Sequence, residues 1–555
     1  MATTAGDELL AARREQMFPK LTPRQVDRLG RLGERRSVAA GEVLFAQGDT
    51  RQAMYVVLSG TLEIVRPSVG PGERLTLHGA GEFTGETDML TGRRSLVHGR
   101  MQEAGDVLVI SREQLRRVVQ TDAELSELFM RAFILRRMGL IAGHHSDALL
   151  VGSQHSAGTL RIKEFFTRNA HPYNYIDVDT DTGVAALLDH FHVRVDEIPI
   201  VICRGERVLK NPTNIEVAEC FGMSADVENV KPYDVIVVGA GPAGLAAAVY
   251  AASEGLEVLV LETNAPGGQA GTSSRIENYL GFPTGISGQA LAGRAFTQAE
   301  KFGATIAIAR TATKLDCRTR PFVLTLTDGQ EVRGRTVVIA SGARYNKLPL
   351  EDLGRFEGAG VYYGATHLEA QLCTGAGVIV VGGGNSAGQA AVYLAGQARQ
   401  VNIFVRGEGL AATMSRYLIR RIEDTPNISL HTRTEIVGLA GGDELERVTW
   451  RDASGQVTTE ELRHVFLMTG ASPNSAWLNG CVAVDPLGFV KTGLDLGTDE
   501  LAAWPQKRPP FHLETNVPGV FAVGDVRSGS VKRVAAGVGE GSTAVALIHK
   551  VLAEV

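Results

Sequence analysis

The sequence predicts a multidomain chain: a β-barrel with helices at the N-terminus, a smaller α/β module in the middle, and two α/β folds with parallel sheets in the C-terminal half. Three observations predict it. Two glycine-rich turns, Gly239-Ala240-Gly241-Pro242-Ala243-Gly244 and Gly382-Gly383-Gly384-Asn385-Ser386-Ala387, each directly follow a run of β-branched residues. Residues 148–178 carry strand, helix and strand patterns in turn, and the residues before them are short apolar runs punctuated by glycine. At 555 residues and 44% hydrophobic content, the chain can fill several cores, which suggests about three or four domains.

Bulk composition excludes several roles. A net charge of −6 without any Lys/Arg run gives no electrostatic reason to bind nucleic acid. Apolar runs such as Tyr233 to Val238 are interrupted well short of the about 20 residues a membrane helix needs, so no membrane span is expected. Met1 to Lys20 carries Asp7, Glu8 and Glu15 and has no apolar core, so no targeting segment is read there and a cytoplasmic location is expected. The five cysteines (Cys203, Cys220, Cys317, Cys373, Cys481) include no C-x-x-C pair. Neither a metal site nor a local redox dithiol is written in the sequence.

The first module, residues 15–143, contains Gly41-Glu42-Val43-Leu44 with Gly48-Asp49, and a hairpin pattern from Met54 to Ile64 around Ser59-Gly60. Gly85-Glu86 and Arg94-Ser95 follow, and Glu124 to Ile141 has helical apolar spacing. In this order the set resembles a cyclic-nucleotide-binding domain. The resemblance implies that Arg94 takes the cyclic phosphate, Glu86 the ribose, Gly85 opens the turn and Ser95 adds a hydroxyl donor. A guanidinium suits that role because it can hold two oxygens of one singly charged phosphate. Arg93 competes with Arg94, and a barrel that has lost its ligand is the alternative. No helix-turn-helix follows, where a transcription factor of this family would carry its DNA reader.

The middle module, residues 147–225, reads as a strand from Ala148 to Gly152, a helix from Thr159 to Phe166, a strand from Tyr175 to Asp179, then Glu197 to Ile202. It resembles a thioredoxin or glutaredoxin fold, with Pro199 at the position of the family's cis-proline. That family's two redox cysteines fall at Ser156 and Thr159. Hydroxyls cannot cycle between thiol and disulfide, so the module is expected to be redox-silent, either as a docking domain or as a packing relic. Cys203 is expected in its core.

The third part begins with the buried strand Tyr233 to Val238. Gly239, Gly241, Pro242, Ala243 and Gly244 open an alanine-rich helix, and the next strand ends on Glu262, eighteen residues past Gly244. Strand, glycines, helix, strand and terminal acid together form a Rossmann-like dinucleotide fingerprint, in which glycines admit a pyrophosphate and Glu262 accepts from ribose hydroxyls. The second fingerprint, Gly382, Gly384, Asn385, Ser386 and Ala387, has its own second strand, Val401 to Val405, ending at Arg406. Two dinucleotides in one chain suit a relay from a diffusible nicotinamide to a resident flavin.

Further signatures are Pro266-Gly267-Gly268-Gln269, Ile276-Glu277-Asn278-Tyr279-Leu280-Gly281-Phe282-Pro283, Ile339-Ala340-Ser341-Gly342-Ala343 and Pro518-Gly519-Val520-Phe521-Ala522-Val523-Gly524-Asp525-Val526. With the fingerprints they resemble the low-molecular-weight thioredoxin reductases. The resemblance implies FAD on residues 233–346 and 470–555, with Gly268, Gln269, Asn278 and Gly342 around it. Gly524 and Asp525 would hold its ribityl and phosphate end, and Arg533 and Val534 would lie near the pyrimidine edge. It places NAD(P)H on residues 347–469, and a homodimer is expected. Arg406, with Arg416, Arg420 and Arg421 nearby, favours NADPH, because an arginine there can hold a 2′-phosphate; Glu408 keeps NADH open.

Those reductases carry Cys-Ala-Thr-Cys just before the second fold, where this chain reads Gly364-Ala365-Thr366-His367. Both sulfurs are gone, so electrons have no local dithiol to enter. His367 is either a proton donor beside the flavin or an ordinary satisfied polar side chain. The leading expectation is therefore a reductase that passes electrons from NADPH to a quinone, a ferredoxin-like partner or another small oxidant, with cyclic nucleotide as regulator. A disulfide reductase using non-local cysteines and a nucleotide-responsive sensor with structural flavin are the alternatives.

Overall fold

The structure is a computed structural model that describes residues 14–554, except 50–52, 69, 86–87, 92–93, 96, 143–147, 181–196, 204–206, 225–226, 228–230, 274–275, 277–278 and 366. Its N-terminal part is two antiparallel sheets. Glu34–Val38, Gly105–Ile110 and Met54–Val57 form one, and Val43–Phe45, His98–Glu103, Thr61–Ser68 and Gly70–His78 the other. The hairpin expected between Met54 and Ile64 does not form. Met54–Val57 pairs with Gly105–Ile110, whereas Thr61–Ser68 pairs in the other sheet, so the turn at Ser59-Gly60 carries the chain across the barrel instead of back along it.

Helix Ala123–Ala142 covers one end of the barrel, its Phe129 and Phe133 packing with Phe83 in the core. The chain then enters a four-stranded sheet in which Ala148–Gly152 runs parallel to Asn174–Asp177 and antiparallel to Ile200–Cys203. The peptide between Ile198 and Pro199 is cis.

Two further sheets follow, the second all parallel and the first parallel at its centre with Ala312–Asp316 and Phe322–Leu326 added antiparallel at one side. The first places Val258–Glu262, Tyr233–Val238, Glu331–Ile339 and Val520–Ala522 side by side, so the last segment of the chain returns to complete the fold that residue 233 began. The second contains Val361–Tyr362, His464–Leu467, Gly377–Val381, Gln400–Val405 and Ile428–Thr432. Two short antiparallel strands, Ala343–Tyr345 and Ala471–Pro473, join these halves. Their central strands are wholly buried, as continuous β-branched runs between covering helices should be. Among the described residues, no helix is long and apolar enough to cross a membrane.

Candidate functional site

Each glycine turn is set by close backbone approach. A Cβ at Gly239 would meet the Ala340 carbonyl, and one at Gly244 would overlap the Gly239 carbonyl oxygen. Helix Pro242–Ser253 therefore starts hard against the end of its strand, with Gly241 as its N-cap and unpaired N–H groups directed at whatever lies above. Gly268 comes so near that its Cβ would stand 3.0 Å from the Gly241 Cα. In the second fold, Gly382 has φ +144° and a Cβ there would meet the Met468 carbonyl. Asn385 accepts the Ser415 N–H at 2.8 Å, and the Thr413 hydroxyl donates to the Gly383 carbonyl at 2.7 Å.

Both turns open into one cleft of about 2250 Å³. A pocket for one small ligand measures roughly 300–1,000 Å³, so this cleft has room for two dinucleotides. Gly239, Gly241, Pro242, Ala243, Glu262 and Gly268 line it on one side, with Gln269, Gly342, Gly524, Asp525, Arg533 and Val534. Gly382, Gly384, Asn385, Ser386 and Arg406 line it on the other. Gly244 and Ala387 do not reach it: Gly244 serves helix–strand packing, and Ala387 is fully buried beneath its own helix. Asn278 lies outside the described residues, as does the side chain of His367, whose backbone opens helix His367–Leu372.

Glu262 is 8% exposed and accepts N–H groups from Ala240, Asn264 and Ala265 at 2.7, 2.9 and 3.2 Å. Of about four acceptor positions on a carboxylate, one is left for a ribose hydroxyl. Burial pushes its carboxyl above the usual range, against the opposing pull of those N–H groups and of Arg168. Burial likewise raises Asp525, with Lys532 opposing. Gln269 donates its amide to the Ala343 carbonyl. Of the four arginines near the second fingerprint, only Arg406 lines the cleft, and Glu408 is engaged with Arg433 at 2.5 Å.

Gly364 lines the cleft, facing Thr272 of the turn Gly268–Thr272; a Cβ there would sit 3.4 Å from the threonine. Among the described residues no cysteine lines this space. Cys203 pairs with Cys220 and Cys317 with Cys481, neither pair lining it, and these pairings at sequence separations of 17 and 164 were not legible from spacing. Cys373 is buried, and burial pushes its thiol up to about 12, so at neutral pH it carries almost no thiolate.

One wall of the cleft was not anticipated. Ala157, Leu160, Arg161, Glu164 and Arg168, all from helix Ala157–Arg168 of the middle module, line it as well. Their spacing marks one helix face, but the charges on that stripe do not by themselves tell a cleft wall from a solvated surface. Among the described residues, no group of acidic, histidine or cysteine side chains could hold a metal ion.

In the barrel, Gly85 has φ +118° and its carbonyl accepts from Arg136 at 2.9 Å. Glu86 and Arg93 lie outside the described residues. Ser95, expected to give its hydroxyl proton to a phosphate, is 4% exposed and donates it to the Val97 carbonyl at 2.8 Å instead. Arg94 lies against Gly222, the left-handed residue that ends helix Asn214–Phe221 of the middle module: a Cβ on Gly222 would be 2.7 Å from the Arg94 Nε.

The family model for pyridine nucleotide-disulphide oxidoreductases matches residues 233–541. The chain belongs to that family. This oxidoreductase is FAD-dependent and takes its electrons from NAD(P)H, and its N-terminal residues 35–122 match the cyclic nucleotide-binding domain. It is 31% identical over 315 residues to a thioredoxin reductase of Ureaplasma parvum serovar 3, covering 56% of this chain and 94% of the relative. It is 29% identical over 326 residues to a 34.2 kDa protein in the rubredoxin operon of Clostridium pasteurianum, covering 58% and 97%. The oxidoreductase also superposes on the Lactococcus lactis thioredoxin reductase structure with a TM-score of 0.53 at 27% identity, over 58% of this chain and all of that one.

Proposed function

We propose that the chain carries electrons from NADPH through FAD to an acceptor that is not a disulfide, such as a quinone, a ferredoxin-like protein or another small oxidant, and that a cyclic nucleotide regulates it. The absence of any cysteine among the described cleft residues carries the first part. FAD held by Gly241, Glu262, Gly268 and Asp525 would supply two-electron redox chemistry between NADPH and the acceptor. For a quinone the balance is NADPH, a proton and quinone giving NADP⁺ and hydroquinone.

The protein's own groups bind and orient. Gly241 and Gly384 cap helices whose N-termini suit pyrophosphates, and Arg406 suits a 2′-phosphate. Arg406→Ala is expected to raise the KM for NADPH about tenfold or more while leaving that for NADH unchanged, because only the phosphorylated ribose meets the guanidinium. Equal effects on both would remove Arg406 from the site. Steady-state turnover with a panel of acceptors, with and without cyclic nucleotide, tests the whole reading; activity only with disulfides would reject it.

Contacts across the chain support regulation. Arg112 and Arg116 of helix Arg112–Thr121 donate to the Met89 and Leu90 carbonyls of helix Asp88–Thr91, which follows Gly85. Both arginines also face buried Glu300 of helix Gly288–Phe302. That helix begins against the Gly268–Thr272 turn, where a Cβ on Gly288 would overlap the Ala270 carbonyl. A ligand that moves Asp88–Thr91 thus pushes on a helix seated at the flavin site. Arg94→Ala is expected to weaken cyclic nucleotide binding by about 1.5–3 kcal/mol, the scale of one charge-assisted hydrogen bond. Calorimetry showing no binding of either cyclic purine nucleotide to the intact chain would reject the regulatory part.

A further inference from the structure

We infer that Arg168, on the middle module, is a ligand of the adenylate half of FAD, closing the ribose and pyrophosphate edge of the first dinucleotide site from outside the dinucleotide fold. The inference rests on the FAD reading above. Arg168 ends helix Ala157–Arg168 and lines the cleft beside Gly241, Glu262 and Gly268. Its side chain is 14% exposed. One guanidinium nitrogen, Nη2, donates to the Gly268 carbonyl at 2.9 Å, and another, Nη1, to Glu164 at 3.2 Å. The third, Nε, is buried and has no hydrogen-bond partner among the described residues.

A buried donor without a partner has given up its water without replacement and calls for an explanation. Gly268 lies on Gly241 at the N-terminus of helix Pro242–Ser253, so the cation held by Gly268 stands next to the turn where a pyrophosphate would be cradled. A dianion between a helix N-terminus and a guanidinium fork is a complementary arrangement. Glu262, the ribose carboxylate of the fingerprint, already feels the Arg168 charge.

The arm that presents Arg168 is fixed to the same loop. Asn169 donates to the Asn264 carbonyl at 3.2 Å, Asn214 to the Asn264 side chain at 2.8 Å, and Gln289 to the Thr167 carbonyl at 2.7 Å. FAD binding and docking of the middle module therefore reinforce each other by the same free energy. This gives the middle module, which carries Ser156 and Thr159 where redox cysteines would stand, a task as part of the cofactor site.

The test titrates full-length apoprotein with FAD and with riboflavin, following flavin fluorescence, for wild type, Arg168→Gln and Arg168→Lys. Arg168→Gln is expected to weaken FAD binding by about tenfold to a hundredfold, the scale of one charge-assisted contact, and to leave riboflavin, which lacks the adenylate and pyrophosphate, unchanged. Arg168→Lys should recover part of the loss. Equal losses for both flavins would mean that the arginine only props the loop, and undiminished FAD binding in Arg168→Gln would also overturn the inference. In wild-type apoprotein, ADP should protect Arg168 from phenylglyoxal, read by peptide mass; no protection overturns it without any variant. Wild type that binds no FAD at all would instead strike the reading on which the inference rests.

Discussion

Replacing Gly244 with valine is expected to yield protein that purifies without flavin. The Gly244 Cβ position already overlaps the Gly239 carbonyl oxygen and stands 3.2 Å from the Ala340 Cβ, so a branched side chain has no rotamer that fits. Overpacking of this kind costs typically 1–3 kcal/mol, and here it is relieved by tilting helix Pro242–Ser253 away from its strand. That tilt separates Gly241 from Gly268 and removes the pyrophosphate cradle. Flavin absorbance per mole of purified protein measures the effect, and the barrel, which does not touch Gly244, should keep its affinity for cyclic nucleotide. Wild-type flavin content in this variant would mean that the first fingerprint is not the FAD seat.

The second large effect concerns disulfides. Thioredoxin and Ellman's reagent should be turned over at or near background, while quinones and other small oxidants sustain NADPH oxidation. Gly364 stands where a sulfur would be needed, Cys373 is buried with its thiol at about 12, and neither cysteine pair lines the cleft. Changing Cys373 to serine should leave acceptor turnover within a factor of about three, since surroundings that already exclude the thiolate are not using it. Robust thioredoxin reduction by the natural chain, lost on substitution of one cysteine, would revive a disulfide reductase built on non-local sulfurs. Gly364→Cys with His367→Cys is the constructive counterpart: Thr272 leaves 3.4 Å for the new Cβ at residue 364, so this half of the pair fits without strain.

Legibility followed the range of the physics. The fingerprints were readable because their constraints are local: a glycine is required wherever a carbonyl lies within reach of a Cβ, and Gly239, Gly244 and Gly382 all meet one. The lost dithiol was readable because it is four consecutive residues. The Met54 to Ile64 hairpin was misread because a tight turn between apolar runs looks the same whether the second run pairs with the first or crosses to another sheet; the true partner, Gly105–Ile110, lies some fifty residues on. The cleft wall formed by Leu160, Glu164 and Arg168 was hidden for the same reason, since a charged helix stripe reads as solvated until its neighbour is known. Ser95 shows a subtler limit: its type was right for a phosphate, but the nearby Val97 carbonyl takes its only proton.

The middle module grips both halves of the reductase. Arg168 and Asn169 hold Gly268 and Asn264, while His155 meets Glu444 and Ala157 rests against Gly358, on the far side of the two-strand joint formed by Ala343–Tyr345 and Ala471–Pro473. A swivel of one half against the other about that joint cannot proceed while both grips hold. The module is in this sense a latch across the joint, and any relative motion of the two halves about it has to break contacts to that module. Arg94 of the barrel touches the same module at Gly222, next to Phe221, whose ring packs on His171 just beyond the Arg168 and Asn169 grip.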